Sequence, residues 1–542
     1  MADAMDLSSK AKELDMEDSF HEKKHVKKFV IACAVLASMN SILLGYDAGV
    51  MSGAVIFIRR DLGLNDVQVE MLIGSLNLVS LVGAALAGRT SDAVGRRWTM
   101  ALAALIFLLG SVVMAVAPTF AWLMVGRLLG GLGVGYALLI APVYTTEVAP
   151  AASRGALTCF PEIFINVGIF IGYISNYALK GLPDHLNWRV MLALGVVPPI
   201  FLGIGVLAMP ESPRWLVMKE RNDDALKVLL RTSESRAEAH ERLAQIAEGI
   251  TYARQKTRNS GGGGGSMQSS GEGTWREIFR ATAPVRRMLI IALGLQFFQQ
   301  AGGIDATVYY SPTTFKAAGM KSQGAVLGAT MAVGFAKAGF VIVAAVLIDR
   351  VGRRPLLLTS AIGSTVSLLV LALSLQFIGN APGAAHQAAG YLAVIAACGN
   401  VAFFSIGMGP VNWVLGSEIF PLRLRAKAAS LGVGVNRTLS GVVSVSFLSL
   451  TDAITVPGAF FLFAGVSFLC SVFIYFLVPE TKGKTLEEIV AFFHIGHEHE
   501  TLGSSQVEMG NSASTVQTAV KLKDGSEQTG EKLKEGSNTQ EA

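Results

Sequence analysis

The dominant pattern along the chain is a series of long apolar runs, each close to the ~20 residues that a helix needs to cross a bilayer, separated by short polar stretches. Twelve such runs are predicted, at roughly 29–50, 68–88, 98–117, 121–143, 156–177, 188–208, 287–311, 324–347, 355–377, 388–413, 427–450 and 456–478. Backbone groups in lipid must find their partners internally, and runs of this length do so as helices. The polar stretches predict the remaining organisation: a tail at 1–28, a central loop at 209–286 and a second tail at 479–542. The central loop holds a charged, helix-favouring segment at about 219–256 and then Gly-Gly-Gly-Gly-Gly-Ser at 261–266, a flexible tether. The second tail is rich in Ser, Gly, Lys and Glu beyond about 500 and is expected to be disordered. The first 28 residues are polar, unlike a secretory signal peptide.

Lys and Arg distribution orients these helices. Lys23, Lys24, Lys27 and Lys28 precede span one, and Arg89, Arg96 and Arg97 follow span two. Arg154 follows span four, Arg350, Arg353 and Arg354 follow span eight, and Arg423, Arg425 and Lys427 follow span ten. The intervening loops, such as Ala-Pro-Thr-Phe at 117–120, are nearly uncharged. Both termini and the central loop are therefore expected in the cytoplasm. Composition agrees: 51% hydrophobic and 16% charged over 542 residues, mean hydropathy +0.49, net charge +5. That excludes an ordinary soluble enzyme, a disordered chain and a nucleic-acid binder. The four cysteines lie in apolar stretches, and neither a disulfide framework nor a metal-ligand spacing is present. Nucleophile–base sets and a Walker loop are also missing.

The two halves echo each other. Gly-Arg-Thr-Ser-Asp-Ala-Val-Gly-Arg-Arg at 88–97 returns as Leu-Ile-Asp-Arg-Val-Gly-Arg-Arg-Pro at 347–355. Glu147 precedes Arg154 by the same interval by which Glu418 precedes Arg425, and Pro-Glu-Ser-Pro-Arg at 210–214 returns as Pro-Glu-Thr-Lys-Gly at 479–483. The chain is thus read as an all-α membrane protein of two pseudo-symmetric six-helix bundles, 29–208 and 287–478, with a substrate site at their interface near the bilayer midplane. The loop motifs read as clamps: Asp92 and Arg96, with Arg89 beside them and Gly88 allowing close helix approach, and Asp349, Arg353 and Arg354 in the second half. Glu147 with Arg154, and Glu418 with Arg425, would add ion pairs. The alternative is that the basic residues only set topology.

These strings, with GYDAGVMSGA at 45–54, FPEIFIN at 160–166 and QFFQQAGGIDATVYYSP at 296–312, resemble the sugar porter family of the major facilitator superfamily over about residues 28–490. Within it the chain is similar to plant polyol and monosaccharide transporters. That resemblance implies the major facilitator fold, alternating access, and proton symport at the plasma membrane rather than the vacuolar membrane. It also implies loop networks that hold the outward-facing state. A monomeric carrier needing protons but no cofactor is expected.

Asp47 sits inside span one, where a carboxylate costs roughly 2.5–3.5 kcal/mol near the bilayer centre and so has work to do. Arg127 of span four, within GRLLGGLGVG at 126–135, is the expected partner. The resemblance makes them the proton site, with a static ion pair as the alternative. A polyhydroxylated solute needs amides and an aromatic platform. The family's binding positions fall on Glu162, Gln299, Gln300, Asp305, Tyr309, Tyr310, Trp413 and Asn436, with buried amide packing as the alternative. Many hexose members have Gln, Asn and Trp where this chain has Glu162, Asp305 and Arg437. Either a wider polar cavity for linear polyols, with Arg437 neutralising one acid, or participation of Glu162 or Asp305 in proton handling accounts for this. The reading is a polyol (sorbitol, mannitol, xylitol or inositol type) and monosaccharide symporter. A proton-independent hexose uniporter is its rival, and a non-transporting sugar sensor is a more distant one. The glycines at 131–135 are read as helix-packing positions, not a nucleotide motif.

Overall fold

In the computed structural model, residues 2–149, 159–233, 235–259, 282–378, 384–420 and 422–484 are described, with a few isolated positions between and beyond them. The glycine tether, the second tail beyond 493 and Arg154 lie outside the described residues. The first half holds α1 (Ala2–Leu62), α2 (Asp66–Val94), α3 (Arg96–Ala115), α4 (Phe120–Val148) and α5 (Phe160–Leu179). Its last crossing is α6 (Asp184–Ala193) continued by α7 (Val197–Ala208). Three short helices follow, α8 (Pro213–Met218), α9 (Asn222–Thr232) and α10 (Arg236–Asn259). The second half holds α11 (Ala283–Ala301), α12 (Ile304–Tyr309), α13 (Ser311–Ala317), α14 (Gln323–Val351) and α15 (Arg353–Ile378). It ends with α16 (Ala384–Ile406), α17 (Pro410–Glu418), α18 (Leu422–Ile454) and α19 (Val456–Leu477).

Eleven crossings among the described residues are long and apolar enough to span a bilayer. The twelfth is span seven, broken into α11, α12 and α13. Its break has a local cause. Gly303 turns the chain in a left-handed conformation (φ +77°), with the Phe463 ring pressed so close that any Cβ would meet it at 2.5 Å. Span ten is broken likewise between α16 and α17 at 407–409. The breaks that matter at the arginine-rich end are matched: Gly95 (φ +109°) separates α2 from α3, and Gly352 (φ +110°) separates α14 from α15. Neither φ suits a side chain.

The largest boundary correction falls on span one. The sequence reading ends it at 50, leaving Asp47 near a terminus, but the crossing runs Lys28–Leu62. Residues 51–58 are buried and apolar enough to carry the helix on. Gly45 and Gly49 sit on one helix face, where added Cβ atoms would meet the α5 carbonyls of Ile165 and Ile169 at 2.0 and 2.3 Å. Asp47 lies about 200° from each around the helix, at 100° per residue, and so faces away from α5.

The two bundles meet along α2 with α18 and α5 with α14. Their closest ties lie at the end opposite the arginine-rich loops. There Glu70 accepts hydrogen bonds from the Ser449 backbone N and Oγ, both 2.7 Å, and Tyr173 Oη donates to the Val308 carbonyl at 2.8 Å. A Cβ on Gly74 would strike Val445 at 2.2 Å, so α2 and α18 touch backbone to side chain here.

Candidate functional site

Asp47 and Arg127 are 2% and 0% exposed. Arg127 Nη1 donates to Asp47 Oδ1 and Oδ2 at 2.7 and 2.6 Å, Nε donates to the Leu72 carbonyl at 2.7 Å, and Nη2 donates to the Ile73 carbonyl at 3.0 Å. One guanidinium therefore joins α1, α2 and α4. Its planar fork of donors fits this, where a point-charge ammonium would not. The expected pairing across 80 residues of sequence is observed.

The amides of the second bundle form a closed network. Gln299 Nε2 donates to the Met408 carbonyl at 2.9 Å, and Gln299 Oε1 accepts from Asn412 Nδ2 at 2.7 Å and Asn436 Nδ2 at 2.8 Å. Asn436 Nδ2 also donates to Gln296 Oε1 at 2.9 Å, and its Oδ1 accepts from Gln300 Nε2 at 3.1 Å. Arg437 donates to the same Oδ1 through Nε at 3.0 Å and Nη2 at 2.5 Å. Rotated over, the Gln300 amide instead reaches Asp305 Oδ2 at 3.1 Å and Arg437 Nη2 at 3.2 Å. Asp305 Oδ2 also accepts from Ser440 Oγ. The resemblance-derived Gln299, Gln300, Asp305 and Asn436 are thus brought together on α11, α12 and α18. The adjoining cavity, lined by Gln299, Asn400, Phe404 and Met408, measures about 20 Å³, room for about one water. In this state the amides satisfy one another, and this adjoining cavity is too small for a polyol.

Other expected residues fall elsewhere. Tyr310 is a correction: its hydroxyl donates to the Ser444 carbonyl at 2.6 Å and its ring stacks near Phe447, with centroids 4.8 Å apart, so it is packed in the aromatic core. Tyr309, 2% exposed, lies on α12, which packs against α1. Trp413 is half-buried on α17. Arg437 is bonded to Asn436 and, among the described residues, reaches an acid through the rotated Gln300 amide rather than by a direct ion pair. Glu162 is half-buried in the first turn of α5, where its Oε1 accepts from Asn166 Nδ2 at 3.4 Å.

At the arginine-rich end the two halves build the same latch. Arg96 donates to Glu147 (Nε, 2.9 Å), to Asp92 (3.0 Å) and to the Ser91 carbonyl (3.0 Å). Arg353 pairs with Glu418 (2.9 Å) and Asp349 (3.2 Å) and donates to the Ile348 carbonyl (3.2 Å). Ser212 Oγ donates to Glu147 at 2.6 Å and Thr481 Oγ1 to Glu418 at 2.8 Å. Among the described side chains Glu147 and Glu418 pair with Arg96 and Arg353; the partners read from sequence were Arg154, which is not described, and Arg425, whose side chain is not described. Arg89 is exposed. Gly88 has room for a side chain, its nearest neighbour being Leu139 at 3.7 Å, so close approach is not what it supplies. Arg354 donates to the Tyr475 carbonyl at 2.6 Å.

Several residues were missed. Glu211 accepts from the backbone N–H groups of Arg96 (2.8 Å) and Arg97 (3.2 Å), and Glu480 from those of Arg353 and Arg354 (3.0 Å each). Burial raises the Glu211 carboxyl above its ordinary range despite these donors. The repeated Pro-Glu was the available signal. Gln296, Asn412, Ser440 and Glu70 carried no periodic mark. Lys337, 5% exposed on α14, was visible as a lone charge inside span eight.

Two bundles of repeated design, a buried ion pair in one and a polar nest in the other, define a twelve-helix membrane carrier rather than an enzyme. The comparisons agree. Residues 33–493 match the family model described as sugar (and other) transporter. The chain belongs to the sugar transporter family of the major facilitator superfamily. It is 52% identical over 490 residues to probable polyol transporter 4 of Arabidopsis thaliana, covering 90% of this chain and 89% of that one. It is 33% identical to the glucose transporter GlcP of Staphylococcus epidermidis, covering 84% and 95%. Among solved structures it is similar to the proton:xylose symporter XylE bound to 6-bromo-6-deoxy-D-glucose, at TM-score 0.72 and 27% identity, covering 86% and 99%.

Proposed function

We propose that the chain is a proton-coupled symporter of neutral polyols and monosaccharides, working by alternating access in the plasma membrane as a single chain, with both termini in the cytoplasm and no cofactor. The observation that carries this is the Asp47–Arg127 pair, an ionisable contact that ties three helices of one bundle within the bilayer. Ionised, Asp47 holds Arg127. Protonated, it gives up the charge that offsets the guanidinium, which keeps only the α2 carbonyls. Removing one member of a buried pair costs about 3–5 kcal/mol, enough to repopulate the conformations of a carrier. The names of the similar proteins, polyol transporters and a proton:xylose symporter, support the same reading.

The thermodynamics are sufficient. A potential of 100 mV supplies about 2.3 kcal/mol per charge and one pH unit about 1.36 kcal/mol. One proton per solute therefore supports roughly a 500-fold gradient of a neutral substrate. The test is uptake of labelled sorbitol, mannitol, myo-inositol, xylose and glucose into a transport-deficient cell at two external pH values, with wild type and Asp47→Asn. Asp47→Asn is expected to abolish accumulation while preserving exchange of solute across the membrane. Uphill uptake by that variant, or wild-type uptake indifferent to collapse of the proton gradient, overturns the coupling and leaves a uniporter.

A further inference from the structure

Lys337 is the one buried lysine among the described residues. Its ammonium makes no hydrogen bond or ion pair with a described residue, and lies 5.1 Å from the Phe404 ring centroid. The acids that act on it electrostatically are Glu162 and Asp305. Their arrangement follows from packing. On α14, Gly334 meets the rings of Tyr173 and Phe170 of α5. The two helices run antiparallel, so one turn further along α14 brings Lys337 level with about residues 167–170 of α5, next to Asn166 and about a turn and a half from Glu162. On the α16–α17 side, a Cβ on Gly409 would meet Glu162 Oε1 at 3.3 Å and Phe404 at 3.6 Å. Glu162, Phe404 and Lys337 thus surround one point on the bundle interface. Asn166, fully buried beside them, leaves its Oδ1 without a partner.

Four ionisable groups therefore meet around the polar nest: carboxylates at Glu162 and Asp305, cations at Lys337 and Arg437. Their formal charges cancel, and the Asp47–Arg127 pair cancels separately. A charge that enters such a low-dielectric setting is felt strongly, because water screens it poorly. We propose that Lys337 and Glu162 set the charge selectivity of the substrate site, admitting uncharged polyhydroxy solutes because the site around them is balanced, and that neutralising either one redirects the site towards a solute of the missing sign. This rests on the polyol-transport reading. Neutralising Lys337 leaves a surplus carboxylate, which favours a polyol carrying an ammonium. Neutralising Glu162 leaves a surplus cation, which favours a polyol carrying a carboxylate.

The experiment is competition against labelled sorbitol uptake in transport-deficient cells, using unlabelled sorbitol, 1-amino-1-deoxysorbitol and gluconate, with the external pH held where the amine is protonated. In wild type, sorbitol should compete best. For Lys337→Gln, the inhibition constant ratio of the amino-polyol to sorbitol should shift about tenfold in favour of the amine. For Glu162→Gln, the gluconate ratio should shift by a similar factor in favour of gluconate. The double variant should return both ratios to near wild type, because balance is restored. If either single variant takes up no sorbitol, Lys337→Met and Glu162→Asn are used, and binding of the same three solutes to purified protein replaces uptake. Ratios within twofold of wild type in both single variants, or a double variant no better balanced than the singles, overturn the proposal. Wild type that carries no sorbitol at all points instead to failure of the underlying substrate reading.

Discussion

Asp47 and Arg127 show how much one residue type matters at a buried site. The guanidinium serves a carboxylate and two backbone carbonyls at once, at 2.6–3.0 Å. Lysine has charge but no fork, so Arg127→Lys should keep the protein folded yet lose the α2 carbonyls or the acid. Uptake at saturating substrate, normalised to protein at the cell surface, is expected to fall at least about tenfold. A variant with wild-type rates would show that the three-helix tie is dispensable. This pair was legible in the sequence because charges inside apolar runs are few and costly. Lys337 was equally conspicuous, but its neighbours were not: Glu162 and Phe404 reach it only through the packing of α5 and α16 against α14.

At the scale of elements, the repeat is a statement about turns. Gly95 and Gly352 open the chain at φ +109° and +110°, and the following helices begin with N–H groups that have no helical acceptor. Glu211 and Glu480, each from the far end of its own bundle's sequence, fill that need. Removing a buried acceptor costs about 1–3 kcal/mol. Glu211→Ala and Glu480→Ala should therefore lower the thermal midpoint of purified protein by similar amounts, since the geometry is the same in both halves. A loss in one half alone would mean that the repeat is not energetically symmetric. The sequence displayed the echo, but the partner of each acid could not be read from spacing. The arginines seven residues on, Arg154 and Arg425, lie outside the described side chains, and helix hairpins bring Arg96 and Arg353 to Glu147 and Glu418 from 51 and 65 residues away.

In the whole molecule, the hydrogen bonds that join the bundles among the described residues lie at the end away from the arginine latches. Glu70 bridges α2 to Ser449 of α18, and Tyr173 bridges α5 to α12. Each latch, by contrast, finds its described partners inside its own bundle, so among the described residues the hydrogen bonds that join the bundles are at the Glu70 end. Glu70→Ala should shift the population towards a state open there. Spin labels at Val67→Cys and Asp452→Cys, both exposed, would report it as longer distances in the variant. An unchanged distance distribution would remove Glu70 from the gate. Cys33, Cys159 and Cys470 are buried, which limits background labelling.

The sequence by itself determined the membrane-spanning class, twelve apolar runs, the duplication, and the residues dear enough in lipid to require a role. It could do so because hydrophobic run length, charge asymmetry and repeated strings are properties of the chain in one dimension. Only the tertiary structure decided which buried groups meet: that Tyr310 is core, that the amides close on one another, that Glu211 and Glu480 cap the latches, and that a lysine of one bundle faces an acid of the other. Those contacts join residues tens to hundreds of positions apart, and no local rule of hydropathy or spacing fixes the rotation of one helix against its neighbour.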